Sequence, residues 1–241
     1  MMPPESLKCR VLDAARRRPV PTRAGPLMST ATVATLAAGA MLASYAATLA
    51  LEELWVGRGL ADAVRAASSG MSVVLRLGTS TPGRPAASAA WIVVGSLAFA
   101  CVATWLVLPS RRSMLSPPRG QLLAVAIGVP LLVGAWLLLW GTTYADPFVR
   151  FGWRCLALTG ATAPWPFLVL LHASRRLEPR CPQLTGAALG SAAGAWGAVM
   201  AEMWCPLTVG SHVLVGHVLP LLLLVGLGAA IGYRMFRVRR V

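Results

Sequence analysis

Four side chains near the carboxyl end are of types that could do chemistry together: Glu202, Cys205, His212 and His217. Carboxylate, thiolate and imidazole groups bind metal ions at about 2.0–2.3 Å, and ionisable groups within a membrane span are costly and often functional. A short turn between Cys205 and His212 would return the chain to the same depth. We therefore predict that these four residues form a polar cluster. Their spacing does not require a metal or redox site, so hydrogen bonding between helices is the favoured role, and no metal or cofactor is expected.

Two Cys-Pro pairs, Cys181-Pro182 and Cys205-Pro206, raise a haem hypothesis, because such pairs can ligate haem iron. The two cysteines are 24 residues apart across one predicted spanning helix, which is about 36 Å at 1.5 Å per residue. They are therefore expected at opposite faces of the membrane and cannot share one haem. The five cysteines are odd in number and form no CxxC motif, so neither a disulfide framework nor a structural zinc site is indicated.

Hydrolytic chemistry has no support in the chain. There is no GxSxG, no HExxH, no phosphate loop and no pair of acidic residues within an apolar run. We therefore predict that the protein is not an enzyme. Two alternatives stay open: a haem- or quinone-linked membrane redox protein, and a small transporter, although coupled transporters usually show embedded ionisable groups and internal repeats.

The composition predicts the elements that must position the cluster. Of the 241 residues, 56% are hydrophobic and 12% are charged, whereas soluble domains carry about 25% charged residues. Several apolar runs approach the roughly 20 residues that span a bilayer. We predict an all-α, polytopic membrane protein with about six transmembrane helices in one bundle. The predicted spans are 29–51, 88–109, 120–142, 153–173, 184–204 and 212–233.

The basic residues predict the orientation of the bundle. The net charge is +14, and the arginines cluster at the ends of apolar runs, as the positive-inside rule requires of cytoplasmic segments. The amino-terminal segment, the second and fourth connections and the carboxyl end are rich in arginine. We therefore place both termini in the cytoplasm of a multi-pass protein of the bacterial inner membrane.

Three glycines predict which helix is central. Gly186, Gly190 and Gly194 recur every four residues, so they share one face of a helix. Helices in lipid gain little from hiding apolar surface, and small residues let their backbones approach closely. This face is therefore expected to pack against a neighbouring helix.

Two segments outside the spans carry weaker patterns. Residues 1–27 form a cytoplasmic segment in which Leu7 and Val11 begin an apolar stripe, and 28–241 form the transmembrane domain. The segment either binds a partner or lies on acidic lipids as a basic tail. The connection after the first span contains Leu60–Leu77, which is either an amphipathic surface helix or a linker.

Residues 201–234, AEMWCPLTVGSHVLVGHVLPLLLLVGLGAAIGYR, resemble the carboxyl-terminal hairpin of the NrsF-type negative regulators of extracytoplasmic-function sigma factors. The matching elements are the small-residue helix, Cys205-Pro206, His212, His217-Val218-Leu219-Pro220 and the glycines that follow. Residues 5–23, ESLKCRVLDAARRRPVPTR, are similar to the start of these proteins, whereas 52–180 match only in hydropathy.

The resemblance implies a membrane-bound anti-sigma factor that sequesters its sigma factor, and makes no direct contact with nucleic acid. Within the family, it points to members that control light-induced carotenoid synthesis. A helix with a small apolar face suits a helix-in-groove contact, and its arginines can steer it to an acidic partner. The residues expected to contact the sigma factor are Leu7, Arg10, Val11, Leu12 and Arg16.

Overall fold

The computed structural model describes residues 28–55, 65, 86–108, 116–140, 152–175, 179–205 and 209–237. The predicted partner-binding segment, residues 1–27, lies outside the described residues. So does the possible surface helix Leu60–Leu77, apart from Arg65.

The described part of the chain contains helices and no strand, so the prediction of an all-helical membrane protein is confirmed. The bounds are α1 Thr30–Trp55, α2 Ala86–Val107, α3 Arg119–Leu139, α4 Trp153–Thr162, α5 Pro164–Ser174, α6 Pro182–Trp204 and α7 Gly210–Val213, then a π-helical segment Leu214–Val218 and α8 Leu219–Arg237.

Five stretches of the described chain are long and apolar enough to cross a membrane: the spans within α1, α3, α4–α5, α6 and α7–α8. The predicted span 88–109 corresponds to α2, whose apolar part Trp91–Val107 is shorter than the other five. Large apolar side chains point away from the bundle, including Leu139 (78% exposed) and Trp105 (65% exposed). Such side chains around a helical bundle are suited to contact with lipid.

The fourth span is interrupted at Ala163, directly before Pro164-Trp165-Pro166. Proline has no N–H to donate to the preceding turn, so two prolines in three residues remove two helical hydrogen bonds. The other i→i−4 hydrogen bonds of the helix persist next to the prolines: Ala163 N donates to Thr159 O, and Phe167 N donates to Ala163 O. The helices α4 and α5 therefore form one interrupted span.

The helix α6 is the centre of the bundle. Of its span, 94% is buried, against 28–44% for the other four, and it packs against α1, α2, α3, α4, α5 and α8. Two buried hydrogen bonds tie it to its neighbours. Ser191 Oγ donates to Val125 O of α3 at 2.9 Å, and Trp196 Nε1 donates to Thr104 Oγ1 of α2 at 3.0 Å.

Glycine brings the backbones of α6 and α8 into direct contact. A Cβ on Gly186 would collide with the carbonyl oxygen of Gly228, and a Cβ on Gly190 would collide with that of Leu224. A Cβ on Gly232 would lie 2.6 Å from Pro182 O. Gly194 faces the same helix less tightly, since its Cβ would lie 3.1 Å from Leu221 Cγ. The two helices are thus antiparallel and touch along several turns.

We expect Gly190→Leu to lower the melting temperature in detergent by about 5–10 °C, because backbone atoms cannot yield to the new side chain and overpacking costs about 1–3 kcal/mol. Gly226→Leu is the matched control, since Gly226 lies on α8 with nothing near its Cβ position. Equal melting temperatures for the two variants would show that the α6–α8 contact does not hold the bundle together.

Candidate functional site

Two cysteines and two histidines meet at one end of the bundle, and we call Cys155, Cys205, His212 and His217 the cysteine–histidine cluster. One ligand atom from each residue lies within 4.8 Å of the other three. Cys155 is near the start of α4, Cys205 follows α6, His212 is in α7 and His217 is in the π-helical segment. Three separate parts of the chain therefore build the cluster.

The cluster is closely spaced and shielded. The Nε2 atom of His212 lies 3.0 Å from Cys205 Sγ and 3.5 Å from Cys155 Sγ. The rings of His212 and His217 have centroids 5.6 Å apart. All four side chains are at most 9% exposed. Both ring nitrogens of His217 are buried without a hydrogen-bond partner among the described residues, which is unusual for a buried polar group.

A pair of glycines brings α4 against the histidine-bearing segment. Gly152 precedes α4 with φ of 75°, a left-handed conformation that favours glycine. A Cβ on Gly152 would lie 2.8 Å from Gly216 N, and one on Gly216 would lie 3.1 Å from Cys155 Cβ. Larger residues at either position would therefore separate Cys155 from the histidines.

The π-helical segment aligns the two histidines. His212 and His217 are five residues apart, which in an α-helix of 3.6 residues per turn would place them about 140° apart. In the π-helical segment, Leu219 N–H donates to Leu214 O, five residues earlier. This i→i+5 pattern brings residues five apart onto one side, and short π-helical segments often occur at functional sites.

The surroundings of Cys205 favour its thiolate. The Cys155 thiol and the His212 imidazole can donate hydrogen bonds to it, and together they lower the pKa of Cys205 despite burial, which acts in the opposite direction. A thiolate is the form in which cysteine binds metals and attacks disulfides. Cys205 is therefore the thiol of the cluster best suited to bind a metal ion.

The predicted site residues are placed as follows. Cys205, His212 and His217 come together. Glu202 is buried on α6, 1% exposed, but its carboxylate is not part of the four-atom group. Cys181 lies at the opposite end of α6 from Cys205, so the two Cys-Pro pairs cannot ligate one haem.

Sequence reasoning missed Cys155. The only feature of the sequence that could have indicated Cys155 is its position. It lies at the start of the fourth predicted span, and Cys205 lies at the end of the fifth predicted span, so both are expected at the same membrane face. Hydropathy does not say which spans are neighbours, and only the packing of α4 against α6 and the π-helical segment brings the two thiols together.

Two thiols and two imidazoles match the ligands of a tetrahedral site for zinc or another soft or borderline ion. Around such an ion, with bonds of about 2.0–2.3 Å, ligand atoms lie about 3.3–3.8 Å apart. The distances of 3.0 and 3.5 Å to His212, and the 4.8 Å limit over the group, are close to this geometry. Small movements would therefore complete the coordination.

The comparisons with known proteins agree with this architecture. A family model described as "Negative regulator of sigma F" (NrsF) matches residues 86–238, which is more than half of the chain. The chain belongs to the NrsF family. No curated protein matches, and no solved structure does. The matched region contains the whole cysteine–histidine cluster, and membership makes the protein a negative regulator of a sigma factor with a helical membrane domain.

We expect the purified protein to bind one Co²⁺ ion, a visible stand-in for Zn²⁺, with the intense near-ultraviolet absorption of thiolate ligation. Cys205→Ser should weaken binding on the order of 100-fold, because a first ligand contributes at least as much as the outer partners that cost 10–100-fold. Cys101→Ser is the control, since Cys101 is exposed and outside the cluster. Equal affinity in the two variants would place the ion elsewhere.

Proposed function

We propose that this NrsF-family protein is a membrane-bound anti-sigma factor for an extracytoplasmic-function sigma factor, and that the cysteine–histidine cluster receives the releasing signal. One observation supports the proposal that the cluster receives the signal: the buried cluster of four potential ligands lies in a member of a family of negative regulators. A regulator in the membrane needs a receiver, and the cluster is the part of the described chain with the chemistry to bind an ion.

The signal that fits the cluster is a soft or borderline metal ion, or a change in thiol oxidation. Two thiols and two imidazoles, shielded from solvent, favour such ions over Mg²⁺ or Ca²⁺, which prefer oxygen ligands. Binding would draw Cys155 of α4, Cys205 of α6 and the two histidines towards one centre. The ion would thereby change how α4 and the π-helical segment sit against α6.

The two ends of the bundle have different roles in this proposal. Arg119, Arg175, Arg180 and Arg234 lie at the end where α3 and α6 begin and α5 and α8 finish, which we call the arginine end. The positive-inside rule assigns this end to the cytoplasm. The cluster then faces outward. Helix α8, which begins beside the cluster and touches α6 through glycine, connects the two ends.

Residues 1–27 are the proposed contact with the sigma factor. Their apolar stripe suits a groove on a partner, and six of the residues are Lys or Arg, which suits an acidic surface. An extracytoplasmic-function sigma factor bound there would be kept from RNA polymerase until the membrane domain changes its arrangement.

The light signal and the regulon of carotenoid-synthesis genes, which the sequence resemblance implies, stay predictions. They are separable from a response to metal. A sigma-dependent promoter that responds to light in a strain whose cluster cysteines are replaced would assign light sensing to another part of the system.

Leu7→Asp or Val11→Asp should release the sigma factor and switch on its promoter without a signal. An unpaired charge in a desolvated contact costs several kcal/mol, whereas a micromolar complex has about 8 kcal/mol in total. Reporter output at matched membrane levels measures the effect, with Ser6→Asp as the control because Ser6 lies off the apolar stripe. Full repression by both stripe variants would exclude residues 1–27 as the inhibitory element.

Reporter fusions check the orientation. An alkaline phosphatase, active only in the periplasm, should be inactive when fused after Val241 and active when fused after Asp146, in the third connection. The opposite pattern would put the cluster in the cytoplasm and remove its role as a receiver of external signals.

A further inference from the structure

A groove of about 660 Å³ opens at the arginine end, between the first turns of α3 and α6 and the last turns of α8. Its lining has two levels. Polar side chains form the rim: Arg119, Gln183 and Tyr233. Apolar side chains form the floor, among them Leu123, Ala187 and Ala229.

The floor lies deeper in the bundle than the rim. Leu123 is four residues into the span after Arg119, and Ala229 is four residues before Tyr233. At 1.5 Å per residue, both are about 6 Å further from the arginine end than their polar partners. The groove therefore runs from the level of lipid head groups into the level of acyl chains.

The charge around the groove is positive. Among the described residues at this end there are five arginines, Arg119, Arg175, Arg180, Arg234 and Arg237, and no Asp or Glu. The first turns of α3 and α6, which line the groove, carry no acidic residue, and helix starts favour negative charge. The complementary ligand is an anion.

The chain's own amino-terminal segment does not suit this groove. Residues 1–27 contain six Lys or Arg against Glu5 and Asp13, so like charges would meet. A soluble partner approaching from the cytoplasm would reach the polar rim and not the apolar floor within the membrane. A molecule that satisfies both levels has a negative head and an apolar tail.

We propose that this groove is a binding site for an anionic phospholipid. The phosphate lies at Arg119 with Gln183 and Tyr233 as neutral partners, and one acyl chain lies along Leu123, Ala187 and Ala229. Basic pockets between membrane helices on the cytoplasmic side bind anionic head groups in this way. The bound lipid would join α3, α6 and α8 at the arginine end. The proposal does not depend on the sigma factor or on the cysteine–histidine cluster.

The test uses the purified full chain, stripped of lipid in detergent and titrated with phosphatidylglycerol or phosphatidylcholine under native mass spectrometry. Phosphatidylglycerol should bind with one saturating site, and phosphatidylcholine should not. Arg119→Gln should weaken phosphatidylglycerol about fivefold, the effect of one arginine near a membrane surface. Arg234→Gln is the control, because Arg234 is at the same end but does not line the groove.

A second pair of variants tests the floor without changing charge. Ala229→Leu should fill the groove and reduce phosphatidylglycerol binding, whereas Ala230→Leu, on the exposed side of α8, should leave it unchanged. Equal binding of the two lipids would show that the site does not select an anionic head group, and equal losses in Arg119→Gln and Arg234→Gln would reduce the effect to general surface charge. Either result would overturn the site. Unchanged lipid binding in Arg119→Gln with loss of sigma-factor binding would assign the groove to the protein partner and also overturn it.

Discussion

The contact between the backbones of α6 and α8 is the constraint on which the rest of the structure depends. Gly186, Gly190, Gly228 and Gly232 leave no room for a Cβ between the two helices. In lipid, where burying apolar surface from a neighbour gains little, such close approach supplies dispersion contacts that hold helices together. It makes α6 the buried axis around which the other helices pack, and it fixes the position of the π-helical segment that leads into α8.

The same contact gives the molecule a physical connection between its ends. The cysteine–histidine cluster takes one cysteine from the end of α6 and one histidine from the segment that continues into α8. A ligand that pulls these groups together acts on both members of the glycine contact. The backbones of α6 and α8 are too close to adjust independently. A shift at the cluster is therefore expected to move α8 as a rigid body, so that the movement reaches the arginine end. Gly152 and Gly216 add α4 to the same movement.

The sequence predicted the parts of this architecture that depend on local pattern. Apolar runs predicted the helices, and the four-residue spacing of Gly186, Gly190 and Gly194 predicted one packing face. Cys205, His212 and His217 were predicted from a short turn in one hairpin. Cys155 could not be predicted, because its partners are 50 or more residues away and hydropathy does not specify helix neighbours. The alignment of His212 with His217 could not be predicted from the sequence either, because it requires a π-helical turn. Glu202 shares the depth of the cluster, yet its helical position leaves its carboxylate outside the group.

The central claim is that the cysteine–histidine cluster controls the binding of the sigma factor by this protein. The most direct measurement is output from the sigma-dependent promoter in cells challenged with Zn²⁺, at matched membrane levels of each variant. Parent and Cys101→Ser cells should respond, whereas Cys155→Ser, Cys205→Ser and His217→Ala cells should stay repressed. A response of equal size in all five would show that the cluster is a structural element of the bundle and not the receiver of the signal.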